Sequence, residues 1–290
     1  KLVEAMAMHI TARINTLNEE DNIAAVLAAL AWADECLVVD AGSTDATVEI
    51  ARRQGARVLV HPFENFAAQH TFADSQCRTD WVLVLDADER LSAELASSLR
   101  QLQQEGGGDE TNGGVHAYLM ARRAWYMGRW IWHSGWYPDW KLRLYRRSHT
   151  RWEGELHERP VLMGAAAGAT RRLQGDLLHY PFRDRSEHDA RIERYTDLAA
   201  AADFRRGRRL PLWRWALAPP AAFLRTYMLQ QGFRDGRAGW VIALQAARYV
   251  RLKQAKLRAW RRHPPGDGNF PLGPVSTPAG TPAEDRGLES

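Results

Sequence analysis

The run Trp81-Val82-Leu83-Val84-Leu85-Asp86-Ala87-Asp88 constrains the fold more than any other stretch of this 290-residue chain. Five apolar residues in succession read as a strand buried on both faces, the kind that parallel sheets use. The two carboxylates at its carboxyl end, spaced i and i+2, fall where open α/β sheets hold their ligands. Oxygen ligands there suit a hard divalent cation, and Mg²⁺ completes its shell from water and substrate phosphates. A polar turn capping the next helix accounts for the same pair without any ligand.

The flanking sequence repeats the strand signal at residues 10–16, 36–40 and 57–60. Between these runs Ile23, Val26, Leu27 and Leu30 share one helical face, and the turn Ala41–Asp45 leads into a helix reaching Gly55. Residues 66–76 and 91–104 read as further helices, the second closed by Gly106-Gly107-Gly108. The alternation βαβαβαβ predicts an α/β fold with a mostly parallel sheet flanked by helices. Asn18, Asp40 and the Asp86/Asp88 pair then line one sheet edge.

Bulk properties narrow the class. The length allows one large domain with an appendage, and Cys36 and Cys77 cannot make a disulfide framework, so a reducing, cytoplasmic setting is expected. No secretory signal is visible at the start, and no apolar run reaches the ~18 residues of a membrane span. Charge is asymmetric: residues 1–140 hold 11 basic and 20 acidic side chains, residues 141–262 hold 27 and 11, and residues 263–290 hold 1 and 4. An acidic half fit for a metal thus precedes a basic half fit for an anionic partner. Neither a Gly-x-Gly-x-x-Gly fingerprint nor a Gly-x-x-x-x-Gly-Lys-Ser/Thr loop is present, and no nucleic-acid recognition module accompanies the charge.

Thr16-Leu17-Asn18-Glu19-Glu20, Val38-Val39-Asp40-Ala41-Gly42-Ser43-Thr44-Asp45 and Leu85-Asp86-Ala87-Asp88-Glu89-Arg90 resemble, in order and spacing, the signatures of family two glycosyltransferases, which have the GT-A fold. Gly128-Arg129-Trp130, the stretch 135–147, Trp152–Glu158 and Gly232–Gly236 are similar to the subgroup that adds sugars, often glucose, to the inner core of bacterial lipopolysaccharide. The resemblance covers residues 10–260. It implies that Thr16, Asn18, Glu20 and Asp40 line the nucleoside pocket, that Asp86 reaches the ribose or metal shell, and that Asp88 binds Mg²⁺ or Mn²⁺. His157 is implied near the metal or pyrophosphate. Inverting transfer needs a base for the acceptor hydroxyl; the resemblance points to Asp139, with Glu158 as competitor and a salt bridge to Lys141 or Arg143 as the plain alternative for Asp139. The chain departs from the family pattern at His70 and Thr71, where a basic residue and Asn are common. A neutral His holds a diphosphate less firmly than Lys or Arg.

Trp125, Trp130, Trp132, Trp136 and Trp140 suit either stacking on sugar rings or packing of a subdomain. Pro219-Pro220 is expected to break the apolar run 209–230. Residues 238–262 pair an apolar set (Trp240, Val241, Leu244, Tyr249, Leu252, Trp260) with seven basic residues, as in helices that lie on anionic membranes. The expected organisation is a catalytic domain over 10–185 (nucleotide-sugar half 10–105, acceptor half 115–185), a basic amphipathic helical region over 186–262, and a disordered tail over 263–290. The expected function is inverting transfer of glucose from UDP-glucose to a lipopolysaccharide core or related glycolipid, peripherally on the cytoplasmic face of the bacterial inner membrane. Transfer to a polyprenyl-phosphate or another surface glycan, and a catalytically silent nucleotide- and membrane-binding protein, are the rival readings.

Overall fold

In the computed structural model, which describes residues 8–106, 114–154, 159–164, 170–182, 185–208 and 211–263, four parallel strands open the chain. They are β1 (Ile10–Thr16), β2 (Glu35–Asp40), β3 (Arg57–Val60) and β4 (Trp81–Asp86), separated by helices α1 (Ile23–Ala29), α2 (Thr47–Arg53) and α3 (Phe66–Gln76). β1 lies at the centre, with Ile14 opposite Val38 on one side and Leu85 on the other. Ile10, Ile14, Val38, Leu83 and Leu85 are fully buried, as expected for strands covered on both faces. Helix starts are set locally: the Asn65 side chain accepts from the Ala68 amide at α3.

The second half of the sheet is antiparallel. A three-residue strand β5 (Glu89–Leu91) follows the Asp86-Ala87-Asp88 turn and shortens the expected helix to α4 (Ala93–Gln104), whose first turn is capped by Ser92. β6 (Ala117–Tyr126) is followed by a short β7 (Arg129–Trp130), β8 (Asp139–Arg146), the ribbon β9 (Thr150–Glu153) with β10 (Arg159–Leu162), and β11 (Thr170–His179). The strand order is β3-β2-β1-β4-β8-β6-β11-β5. β8 runs antiparallel to β4, and β11 antiparallel to β5, which sets His179 opposite Glu89. This pairing is fixed by a close approach. Gly175 sits at φ +89°, and a Cβ there would lie 2.3 Å from the Leu95 amide nitrogen. The Ser92 and Asp176 backbones bond at 3.0 Å beside it.

The chain divides into two compact units, one of residues up to Arg122 with Asp139–His179, the other of Arg123–Pro138 with the residues from Tyr180 onward. The segment 123–138, which the sequence grouped with the acceptor half, thus belongs with the helical unit. That unit holds α5 (Arg185–Arg205), α6 (Leu212–Leu224), a π-helical turn Arg225–Leu229, a 3₁₀ turn Gly232–Asp235 and α7 (Gly236–Arg262) around Tyr126, Ile131, Ala238, Val241 and Ile242.

Two sequence expectations are corrected here. Pro219 and Pro220 lie inside α6 and do not break it. The carbonyls they leave without intrahelical donors, those of Trp215 and Ala216, belong to exposed residues that water can satisfy. The apolar set assigned to one face of α7 is split: Val241 points into the core while Trp240 and Leu244 stand exposed. Several cations of α7 are engaged by α5, with Arg248 bonded to Asp189 at 2.7 Å, Lys253 to Asp203 at 3.0 Å and Lys256 to Asp197 at 2.8 Å. Among the described residues no helix is long and apolar enough to cross a membrane. The expected tail lies outside the described residues beyond His263.

Candidate active site

The carboxyl ends of β1, β2 and β4 gather the first three motifs, because parallel strands end on the same edge. Asp40 organises the turn after β2. Its carboxylate accepts from the Thr16 hydroxyl (3.0 Å), the Gly42 amide (2.9 Å), the Ser43 amide (2.8 Å) and the Ser43 hydroxyl (2.5 Å). These four bonds fill the acceptor capacity of a carboxylate, so a base arriving at Asp40 competes with Ser43. Asn18, at φ 57°, accepts from the Thr44 amide, and Glu20 accepts from the Ala46 amide at 3.0 Å. The loops after β1 and β2 are therefore clasped together. Asn18 and Glu20 supply that clasp, while Thr16 and Asp40 are buried beneath it.

Asp86 and Asp88, two residues apart, meet different surroundings. Asp86 accepts from Arg143 at 2.5 Å. Burial acts to raise its pKa, but Arg143 and then Arg122 outweigh it and hold the group well below the usual carboxylate range. Glu89, fully buried, accepts from the Asp86 amide, from Arg143 at 2.6 Å and from Arg122. Burial raises its pKa despite these cations. The chain Asp86–Arg143–Glu89–Arg122–Asp139 is thus one continuous ionic network.

Asp139 opens β8 at the end of that network. Arg122 donates twice to its Oδ2, at 3.0 and 2.7 Å, and the Lys141 ammonium lies 3.1 Å from Oδ1. Burial raises the Asp139 pKa, but Arg122 and Lys141 lower it further than burial raises it. The salt bridge foreseen for Asp139 is therefore present with Lys141, and with Arg122 in place of Arg143. Asp139 is kept ionised, as a base must be, at some loss of basicity. Glu158 and His157 lie outside the described residues.

Asp88 has a neighbour that the sequence reading missed. His179 Nε2 lies 3.3 Å from Asp88 Oδ2, and both side chains are buried. Ninety-one residues separate them in sequence; the β5–β11 pairing closes the gap. The one sequence signal was a His ending the apolar stretch Leu177-Leu178. A carboxylate oxygen and an imidazole nitrogen at hydrogen-bond separation form a donor pair that fits Mn²⁺ or Mg²⁺, with diphosphate and water completing the shell. No cluster of three or more His, Cys, Asp or Glu ligands occurs among the described residues.

Behind β1 lies a buried polar cluster. Arg13, wholly buried, donates to Asp74 (2.6 Å) and the Tyr145 hydroxyl (3.0 Å), with its Nη1 3.0 Å from His70 Nδ1. Tyr145 and Trp152 Nε1 also donate to Asp74. His70 stacks on Trp152 with ring centroids 3.7 Å apart. Its pKa falls well below 6.5 through burial and then through the Arg13 charge. Guanidinium can only donate, so His70 Nδ1 accepts and the ring proton sits on Nε2. His70 is thus a neutral donor backed by a fixed cation. Thr71 turns outward, its hydroxyl bonded to the Ala67 carbonyl.

The tryptophans divide by environment. Trp140 is covered by the Arg172 guanidinium at 4.4 Å. In the helical unit Arg123 lies 4.1 Å from the exposed Trp132 ring, and Trp125 meets Trp130 edge to face, while Trp136 packs with Tyr126 and Phe182.

Residues 12–173 match the model of "Glycosyl transferase family 2". The lipopolysaccharide core biosynthesis glycosyltransferase LpsC of Rhizobium meliloti is 30% identical over 88% of this chain and 93% of its own length. An uncharacterised glycosyltransferase of Rickettsia prowazekii is 30% identical over 86% of each chain. Among solved structures, Staphylococcus aureus TarS matches 88% of this chain and 92% of its own at 15% identity and a TM-score of 0.42. A glucosyl-3-phosphoglycerate synthase of Mycobacterium tuberculosis, crystallised with Mn²⁺, UDP-glucose and phosphoglyceric acid, covers 43% of this chain and 46% of its own at 23% identity and a TM-score of 0.33. The match across more than half of the chain and a relative related along nearly its whole length make this chain a glycosyltransferase of family 2.

Proposed function

We propose that this glycosyltransferase moves glucose with inversion from UDP-glucose to the core of lipopolysaccharide or a related glycolipid. The observation that carries the chemistry is the meeting of Asp88 with His179 beside the clasped nucleoside loops. The acceptor class is supported by the relation to a lipopolysaccharide core enzyme along nearly the whole chain.

In this reading Thr16, Asn18, Glu20 and Asp40 shape the nucleoside side of the site, with Asp40 reached by the base in place of Ser43. Asp86, fixed by Arg143, faces the ribose. Asp88 and His179 hold Mg²⁺ or Mn²⁺, and His157 is the further candidate from outside the described residues. When bound, such a cation neutralises charge on the departing diphosphate. His70 Nε2–H donates to the same diphosphate, with the Arg13 charge behind it. Asp139 takes the acceptor hydroxyl proton, and Glu158 is the competitor. The working place is the cytoplasmic face of the inner membrane.

A thermal-shift panel of UDP, UDP-glucose, GDP-sugar and ADP-sugar, each with Mn²⁺ and with EDTA, tests the donor. UDP-glucose at a hundredfold excess over its Kd stabilises the fold by about 2.7 kcal/mol, and EDTA removes that gain. A shift with a different nucleotide alone overturns the UDP assignment. A shift with UDP-glucose but no transfer to deglucosylated lipopolysaccharide core overturns the acceptor, and transfer to a polyprenyl-phosphate instead supports the rival enzyme. No shift with any nucleotide overturns the reading of the site.

A further inference from the structure

Between Asp203 and Asp267 the chain carries fifteen Lys and Arg but a single carboxylate, Asp235. That carboxylate is only 1% exposed. It accepts from the Trp132 and His133 amides and from the Ser134 hydroxyl, so it ties the 129–134 hairpin to the turn before α7 and offers no charge to solvent. Within the described part of this stretch, every exposed ionised side chain is a cation.

The same stretch exposes large apolar side chains that the core does not use. Trp213, Leu217, Leu224, Met228, Leu229, Phe233, Trp240 and Leu244 all stand exposed, Leu229 at 80%. Leu224, Met228, Leu229, Phe233, Trp240 and Leu244 belong to one packed tip formed by the end of α6, the π turn, the 3₁₀ turn and the start of α7, while Trp213 and Leu217 lie further back along α6, whose first turn runs beside Gln254 and Arg258. Phe223 and Tyr227 both meet Trp240 edge to face, with centroids 5.0 and 5.2 Å apart, and Tyr227 also meets Phe233. The tip is rigid because its backbones touch: a Cβ at Gly239 would fall 1.8 Å from the Gly232 carbonyl oxygen. An apolar aromatic face is thus held outward on a fixed frame.

Contiguous exposed patches of this kind mark interaction sites. A second copy of the chain is a poor occupant. A two-fold contact sets the same surface against itself, and here that brings cations against cations with no exposed carboxylate to answer them. An anionic bilayer answers both features: tryptophans and leucines enter the acyl boundary while arginines meet headgroup phosphates. The cations of α7 that bond α5 are not part of this face. We propose that the tip of α6 and α7, centred on Leu224, Leu229, Phe233 and Trp240, is the surface by which this protein docks on anionic lipid. The proposal deepens the glycolipid-acceptor reading, yet its test involves neither donor nor acceptor, so the two fail separately.

The test is flotation of the full chain with vesicles of phosphatidylcholine alone and of phosphatidylcholine mixed with phosphatidylglycerol. The wild type floats with the mixed vesicles and not with the neutral ones. Leu224→Ser/Leu229→Ser/Phe233→Ser lowers partition by about tenfold or more while keeping the wild-type melting temperature. Should that triple variant fold poorly, Leu229→Asp alone, at the most exposed position, gives the same loss. Lack of wild-type flotation, or binding unchanged by these variants, overturns the proposal. So does light scattering that shows a dimer broken by the triple variant without any lipid binding, since the face is then a contact between copies.

Discussion

Replacing Arg13 by Met tests whether the cluster behind β1 is a structural cation site with a fixed His70 tautomer. Arg13 Nε lies 2.6 Å from Asp74 Oδ1, with no exposure of the guanidinium side chain. At an effective dielectric near 20 this contact has a gross attraction of roughly 6 kcal/mol, much of it offset by desolvation. Removing only the cation leaves Asp74 buried with neutral donors, Tyr145 and Trp152, and costs about 3–5 kcal/mol. At about 2–4 °C per kcal/mol the melting temperature falls by about 6–20 °C. The pH dependence carries the sharper signature. His70 is held below its ordinary value of 6.5 by burial and then by Arg13. Folding therefore disfavours its protonation. The stability it contributes is full above the unfolded value and is lost as pH falls toward the folded one. Without Arg13 that depression relaxes, so the variant loses less on acidification, and its deficit shrinks between about pH 7.5 and pH 5.5. The assay is urea unfolding at both pH values, with Arg13→Met/Asp74→Asn recovering part of the loss. A deficit under about 1 kcal/mol, or one equal at both pH values, refutes the reasoning.

Three further expectations can be checked. His179→Ala removes the Mn²⁺-dependent part of the nucleotide thermal shift and leaves the unliganded melt within a few degrees; an unchanged metal dependence excludes His179 as a ligand. Asp139→Asn keeps donor binding but lowers kcat by at least about a hundredfold, whereas the same loss in Glu158→Gln with an active Asp139→Asn reassigns the base. Ser43→Ala deletes the hydroxyl bond to Asp40, lowers stability by about 1 kcal/mol, and frees an acceptor position, so the affinity for UDP measured by calorimetry is retained or increased; a large loss of affinity makes Ser43 itself a nucleotide contact.

The parallel half of the fold was legible because local signals and burial agreed there. Ile10–Thr16, Arg57–Val60, Phe66–Gln76 and Trp81–Asp86 were read with the bounds the structure shows, since each apolar run is closed by a capping or turn residue such as Asn65. The second half is antiparallel and depends on partners far away in sequence. β5 is three residues long and too short to carry a period of its own. His179 reaches Asp88 only through the β5–β11 pairing, which no local pattern encodes. The helical unit misled in a different way. A basic amphipathic pattern reports which side chains are charged, not what they face, and α5 supplies carboxylates for several of them.

Gly175 gives the site an unadvertised point of fragility. It bears no chemistry, yet its missing side chain lets β11 lie against the first turn of α4, and Ser92 locks that contact through Asp176. From there an extended strand carries four residues to His179. Any larger residue at 175 has to push β11 along or away, and the imidazole moves with it. A chain altered there keeps every motif in its sequence while Asp88 Oδ2 and His179 Nε2 drift out of range of one another. Such a variant reads as intact by inspection and fails at the bench.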